Sequence, residues 1–143
     1  MNNLSFHITD IMTNSIRAKA SEIGLFIEER DLRITIRIAD NGLGMDAGTI
    51  ARVTNPFYTT RTTRKVGLGI LFLIQNAEQT GGAVSITSQP GKGTVVTASF
   101  CSNHIDCPPW GDLPGTVAML ITGNPDINIC FEYQAVKTVF SIS

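Results

Sequence analysis

Residues Leu32–Asp46 read LRITIRIADNGLGMD, and the change of character inside that stretch decides the fold. Up to Ala39 the residues alternate. Leu32, Ile34, Ile36 and Ile38 fall on one face and Arg33, Thr35 and Arg37 on the other, as expected of a strand whose sheet is buried on one side only. The strand then runs into an acid, an amide and two glycines separated by one leucine, Asp40-Asn41-Gly42-Leu43-Gly44. A plain hairpin turn uses such residues. So does a loop whose backbone must approach a ligand closely or take a positive φ. Upstream, Glu22 to Glu29 (EIGLFIEE) shows the same β-branched alternation, and the polar Glu29-Arg30-Asp31 connection makes the pair a hairpin.

A sheet with one apolar face needs a helical cover. From Leu4 to about Lys19, Leu4, Ile8, Ile11, Met12 and Ile16 share one side of a 3.6-residue period. His7, Asp10, Asn14 and Arg17 form the neighbouring stripe, so Asp10 and Asn14 stand on successive turns and can reach the same small object. A solvated helix face carries the same pattern. A second helix is expected from about Gly67 to Gln79, ending at Gly81-Gly82. Strands Ala83 to Ser88 and Thr94 to Phe100 follow, linked by Gln89-Pro90-Gly91-Lys92-Gly93.

The order helix, two strands, short helix, loop, helix, two strands predicts an α+β two-layer sandwich, its mixed, mostly antiparallel sheet covered by helices on one face. Residues 1–100 are expected to form this domain, with 101–143 a β-rich extension packed on it. After the irregular CSNHIDCPPWGDLPG, that extension reads as a strand from Thr116 to Thr122, a turn at Gly123-Asn124-Pro125-Asp126, a strand from Ile127 to Tyr133 and a last strand from Thr138 to Ile142. VAMLIT and INICFEY are too apolar for water. They must cover the core, extend the sheet or meet another chain, a homodimer among the candidates.

The 143 residues, 43% hydrophobic and 16% charged, suit one domain. Eleven basic and 12 acidic residues are scattered along the chain for a net charge of −1, so no charged face points to nucleic acid or anionic lipid. No apolar run approaches the roughly 18 residues that span a bilayer, and MNNLSFHITD lacks a leader pattern, so a cytoplasmic protein is expected. Cys101, Cys107 and Cys130 are odd in number and fit reduced thiols. The spacing Cys101-x-x-His104-x-x-Cys107 is not a common zinc pattern, and structural or surface roles are expected there.

Paired glycines recur three times, as Gly42-Leu43-Gly44, Gly67-Leu68-Gly69 and Gly91-Lys92-Gly93. Each alone is unremarkable. Their neighbours are informative: Asp40 at a strand end can accept from an exocyclic amine, and the second pair opens a helix whose amides and dipole favour phosphate. Asn14 can offer an amide oxygen to Mg²⁺, a hard ion that commonly bridges to substrate phosphates. A purine triphosphate would satisfy all three features.

On these residues the chain resembles the GHKL ATPases, which comprise gyrase, heat-shock chaperones, sensor histidine kinases and MutL. Asp10-Ile11-Met12-Thr13-Asn14-Ser15-Ile16-Arg17-Ala18 looks like their N box and Asp40-Asn41-Gly42-Leu43-Gly44-Met45 like their G1 box. Asn55-Pro56-Phe57-Tyr58-Thr59-Thr60-Arg61 looks like the F box, Val66-Gly67-Leu68-Gly69-Ile70 like the G2 box and Gly91-Lys92-Gly93-Thr94 like the last glycine box. The resemblance covers residues 4 to 100 and implies the Bergerat fold with ATP and Mg²⁺ as cofactors. It assigns Asp40 to the adenine amino group and Asn14 to the Mg²⁺. Gly42, Gly44 and Met45 would lie beside the base, and Gly67, Leu68 and Gly69 beside the phosphates at the base of a lid. Thr94 would help hold the adenine edge through water, Arg61 would meet the terminal phosphates, and Phe57 would pack the lid.

The chain departs from the family pattern in three places. Asp10 stands where ATP-hydrolysing and serine-kinase members usually carry a glutamate base and histidine kinases an asparagine. An aspartate can orient a water or hydroxyl but is one methylene shorter. Lys65 and Val66 replace a usual Gly-Thr, so Lys65 is a candidate phosphate contact. No dimerisation helix or phospho-acceptor box is expected ahead of the N box, and His7, without the usual acid and arginine after it, is expected to be a helix-surface or second-layer residue instead of an acceptor. The resemblance implies a stand-alone ATPase or protein kinase acting on a partner protein, in the manner of the anti-sigma-factor serine kinases or of a histidine-kinase catalytic domain working in trans. The alternative is a non-catalytic nucleotide-sensing or interaction module.

Overall fold

A computed structural model describes residues 3–54 and 64–136. The element order is α1 (Leu4–Arg17), β1 (Glu22–Arg30), β2 (Arg33–Asp40), α2 (Ala47–Val53), α3 (Arg64–Gln79), β3 (Val84–Gln89), β4 (Gly93–Cys101), α4 (Leu113–Gly123) and β5 (Asn128–Val136). The strands form one sheet in the order β3-β4-β2-β1-β5. Pairing is antiparallel except between β1 and β5, which run parallel. The predicted α+β sandwich with a mixed, mostly antiparallel sheet is the fold observed.

The alternation that predicted β1 and β2 delivers the core. Ile23, Leu25 and Ile27, then Ile34, Ile36 and Ile38, then Val96, Ala98 and Phe100 of β4 are all buried on one face of the sheet. Against them pack Leu4, Ile8, Ile11 and Met12 of α1, Ile70, Leu73 and Ala77 of α3, and Leu113 and Val117 of α4. Each large side chain so buried contributes roughly 1.5–3 kcal/mol relative to exposure. The other face carries the polar set, with the Arg37 guanidinium 5.2 Å above the Phe26 ring.

Leu32 does not join that core. Asp31 and Leu32 form the tight turn between β1 and β2, both at positive φ (52° and 62°), and Leu32 is 63% exposed. The strand therefore starts one residue later than the alternation suggested, because closing a two-residue hairpin takes both residues out of the extended conformation.

α1 is capped from two directions. The Asn3 side chain accepts from the Phe6 amide at 2.7 Å, which is ordinary N-capping. The amides of Leu4 and Ser5 donate to the carbonyls of Pro109 and Trp110 at 2.8 and 3.1 Å. The Ser5 hydroxyl also donates to the Trp110 carbonyl at 2.6 Å. The irregular segment after β4 thus completes the helix that begins the domain. α3 starts at Arg64, earlier than the expected Gly67, so Gly67-Leu68-Gly69 lies within its first turns and does not open it. It ends as expected, the Gly82 amide donating back to the Ala77 carbonyl at 2.9 Å.

The tail is not a β-hairpin. Thr116 to Thr122, expected as a strand, lies in α4, and the following strand pairs with β1 in parallel and not with an antiparallel neighbour. The start signals are local: the Asp112 carboxylate accepts from the Gly115 amide at 3.1 Å, and Pro114 occupies the first turn. Leu113 and Val117, four apart, then bury one face. VAMLIT is too short an apolar run to separate strand from buried helix by period. The expected strand Thr138 to Ile142 and the box Asn55 to Arg61 lie outside the described residues. Among the described residues no helix is long and apolar enough to cross a membrane.

Candidate functional site

A cleft of about 240 Å³ opens between α1, the ends of β2 and β4, and the loop that follows β2. Its walls are apolar: Ile11 and Ala18 of α1, Ile38, Met45, Ile70 and Val96. Its polar groups are Asn14, Ser15 and Arg17 on α1, Asp40 at the end of β2, and Thr94 at the start of β4. This is the composition of a site that buries a flat apolar body and fixes it by a few directed hydrogen bonds.

Asp40 is placed by register. It pairs with Ile23 on one side and Thr94 on the other, which sets Asp40 and Thr94 next to each other across the sheet. One carboxylate oxygen accepts from the Gly42 amide at 2.8 Å and the other from the Ser15 hydroxyl at 2.6 Å. Asn41 does different work. Its side-chain oxygen accepts from the amides of Ser21 and Glu22, at 2.9 and 3.0 Å, and ties the start of β1 to the end of β2.

Two glycines of the boxes are required by close contacts within the protein. Gly44 has φ +73°, and a Cβ there would stand 2.0 Å from the Gln89 carbonyl oxygen. Gly93, at φ +95°, would bring a Cβ to 1.9 Å from the Asp40 carbonyl. The loop after β2 is thereby pressed against the β3–β4 turn, and the Gly91 amide donates to the Leu43 carbonyl at 2.7 Å across the join. On the other side the Leu43 amide donates to the Ala18 carbonyl at 2.8 Å, so the loop bridges α1 and the hairpin.

Ser88 completes that bridge and meets Thr94. Its hydroxyl donates its single proton to the Gly93 carbonyl at 2.8 Å while accepting from the Met45 amide at 2.7 Å. With that proton on Gly93, the Thr94 hydroxyl, 2.8 Å away, can donate to Ser88. The lone pairs of Thr94 are then left for the cleft. Asp40 and Thr94 both present acceptors, a set matched to an exocyclic amine.

Among the described residues Asn14 lines the cleft, and Asp10, one turn earlier on α1, is not part of that lining. Burial pushes the Asp10 carboxyl above its usual range, and the nearby Arg17 guanidinium partly opposes the shift. Lys65, Gly67, Leu68 and Gly69 are carried on the first turns of α3. Arg61 lies outside the described residues. Ser15, Arg17 and Ser88 were not singled out in the sequence; of these only Arg17 had a signal, its place on the Asp10–Asn14 stripe. Among the described residues no group of three His, Cys, Asp or Glu side chains could hold a metal, the Cys101–Cys107 segment included. A cation at Asn14 would have to complete its shell with ligand phosphates and water, as Mg²⁺ commonly does.

His7 is 1% exposed, with its Nε2 2.7 Å from the Asn76 amide nitrogen, so it is no surface phospho-acceptor. It sits among Phe6, Phe72 and Phe100.

Residues 3–103 match the family described as Histidine kinase-, DNA gyrase B-, and HSP90-like ATPase. The chain is 30% identical over 106 residues to the sensor histidine kinase YxdK of Bacillus subtilis, a match covering 68% of this chain and 32% of that protein. It is 35% identical over 93 residues to the sensor protein kinase FleS of Pseudomonas aeruginosa (63% of this chain, 23% of that protein). With sporulation kinase E of Bacillus subtilis it shares 31% over 97 residues, 66% of this chain and 13% of that one. The chain thus spans about a third or less of the length of these relatives. The matched residues run from the cap of α1 past the end of β4, taking in every wall of the cleft, and by that match the chain belongs to the histidine kinase-, DNA gyrase B- and HSP90-like ATPase family.

Proposed function

We propose that the cleft binds ATP together with Mg²⁺ and that the chain uses the nucleotide to act on, or signal to, a partner protein. The observation that carries this is the pair at the cleft's end, Asp40 with both oxygens anchored and the Thr94 hydroxyl beside it, 2.8 Å from Ser88. Adenine supplies the amine that such a pair requires. Asn14, and Arg17 at the last turn of α1, lie on the same cleft and suit a phosphate-bound cation and the phosphates themselves. The bound Mg²⁺ would supply charge neutralisation of the phosphates, and Asn14 is the side chain that would hold it.

The activity favoured is phosphoryl transfer to a protein or ATP hydrolysis, with Asp10 orienting the attacking hydroxyl or water. A second reading is a module that binds nucleotide without turning it over, and among the described residues Asp10 stands outside the lining of the cleft. Calorimetry separates these. ATP and ADP should bind more tightly than GTP, and Asp40→Asn should weaken ATP by about 5- to 150-fold, the equivalent of about 1–3 kcal/mol for one charge-assisted hydrogen bond. Asn14→Ala should weaken ATP in the presence of Mg²⁺, and Asp10→Asn should spare binding and abolish turnover. Unchanged ATP affinity in Asp40→Asn refutes the base assignment. Turnover surviving Asp10→Asn removes Asp10 from the chemistry, and no turnover in the parent selects the binding module.

A further inference from the structure

We infer that Ser15 is a positioning residue that gives the cleft its preference for an aminopurine, by locking the plane of the Asp40 carboxylate. The inference rests on the proposed nucleotide reading and adds the residue that enforces it. A carboxylate turns easily about its last torsion, which is broad and two-fold. One hydrogen bond, from the Gly42 amide to Oδ1 at 2.8 Å, leaves a hinge. A second, from Ser15 to Oδ2 at 2.6 Å, closes it, because the two donors reach opposite oxygens from different elements.

The Ser15 hydroxyl is committed to this task. It has one proton, and its only other acceptor among the described residues is the Ile11 carbonyl, at 3.5 Å the limit of a hydrogen bond. At 2.6 Å the contact is at the short end of the O–H···O range. Ser15 is 3% exposed, so its hydroxyl is held within the fold. Helical geometry divides the work between neighbours: Asn14 and Ser15 are successive residues, about 100° apart around α1. Both line the cleft, and only Ser15 meets Asp40. The position of α1 therefore sets the orientation of the base acceptor.

The test compares ATP with purine riboside triphosphate, which has the same ring system and phosphates but no exocyclic amine. Calorimetry would be run on the whole chain, with melting temperature as a check on folding. The parent should bind ATP about tenfold more tightly than the analogue, the size of one charge-assisted hydrogen bond. Ser15→Ala should reduce that ratio to about threefold or less while leaving analogue affinity within about twofold, because the analogue never used the Asp40 oxygens. Ser15→Cys, close in shape with a poor donor, should behave like Ala, and Ser15→Thr, which keeps the hydroxyl, should restore the ratio.

A purely structural role would weaken ATP and the analogue together, and that result overturns the inference. So does a full ATP preference in both Ser15→Ala and Ser15→Cys. A parent with no preference for ATP over the analogue refutes the base assignment to Asp40 itself, an outcome distinct from the failure of Ser15 alone.

Discussion

His7 should make the protein acid-labile in a window that the structure specifies. The imidazole is buried against three phenylalanine rings. With Nε2 accepting from Asn76, the ring proton sits on Nδ1, a buried atom with no hydrogen-bond partner among the described residues. A second ring proton would add charge at a site buried among aromatic rings. Burial accordingly pulls the pKa down from 6.5 to about 4. The folded state keeps His7 neutral while the unfolded chain protonates it, so the stability contribution is complete above pH 6.5 and is lost as pH falls from 6.5 toward 4. The loss grows as pH falls through that window and reaches roughly 3 kcal/mol in full. Urea unfolding followed by the fluorescence of Trp110, the single tryptophan, would measure it against His7→Gln. Glutamine does not titrate and can still bond Asn76. Asp10 acts in the opposite sense, its raised pKa favouring the folded state as pH falls, but it is common to both proteins and cancels in the difference. The stability of parent minus variant should shrink by roughly 2–3 kcal/mol between pH 7.5 and 4.5. Equal pH slopes in the two proteins would refute the assignment of the proton to His7.

Two substitutions test the backbone arguments. Leu32→Gly should stabilise the fold by about 1 kcal/mol, raising the melting temperature by roughly 2–4 °C, because an exposed leucine at φ 62° pays the left-handed penalty without burying its side chain; a lowered melting temperature would show that Leu32 contributes contacts that outweigh its strain. Gly44→Ala should destabilise by about 2 kcal/mol or more and weaken nucleotide binding in parallel, since its Cβ would meet the Gln89 carbonyl at 2.0 Å and displace the loop that carries Met45; unchanged melting would mean the loop relaxes at no cost.

Local pattern carried the reading where structure is local. Alternation located β1 and β2, and a 3.6-residue stripe located α1, because one buried face imposes its period on the sequence. The turn after β2 was legible as special, but its cause was not. Gly44 was read as room for a ligand, and the structure shows it also pressed against the Gln89 carbonyl, a neighbour 45 residues along the chain. Ser15 and Ser88 were invisible for a related reason: a serine in a helix or at a strand end has many uses, and only the fold brings these two hydroxyls to Asp40 and Thr94. The tail misled because a six-residue apolar run does not distinguish strand from helix, and because the partner of β5 is β1, a parallel pairing that no adjacent turn announces.

The tail also changes what supports the site. The family match ends at residue 103, yet α1, which carries Asn14 and Ser15, has its first two amides satisfied by the carbonyls of Pro109 and Trp110. Helix N-termini leave such donors orphaned unless something meets them. At its other end α1 is held by the Leu43 amide on the Ala18 carbonyl and by Ser15 on Asp40. The helix is therefore clamped between a segment outside the matched region and the loop that faces the cleft. Leu113 and Val117 bury α4 in the same core as Leu4 and Ile8, which ties the capping segment in place by packing as well as by hydrogen bonds. A shift of Pro109 and Trp110 along the axis of α1 would be felt at Ser15, and through it at the Asp40 carboxylate. In physical terms, then, the residues that hold the candidate base acceptor in position extend beyond the boxes by which the family is recognised.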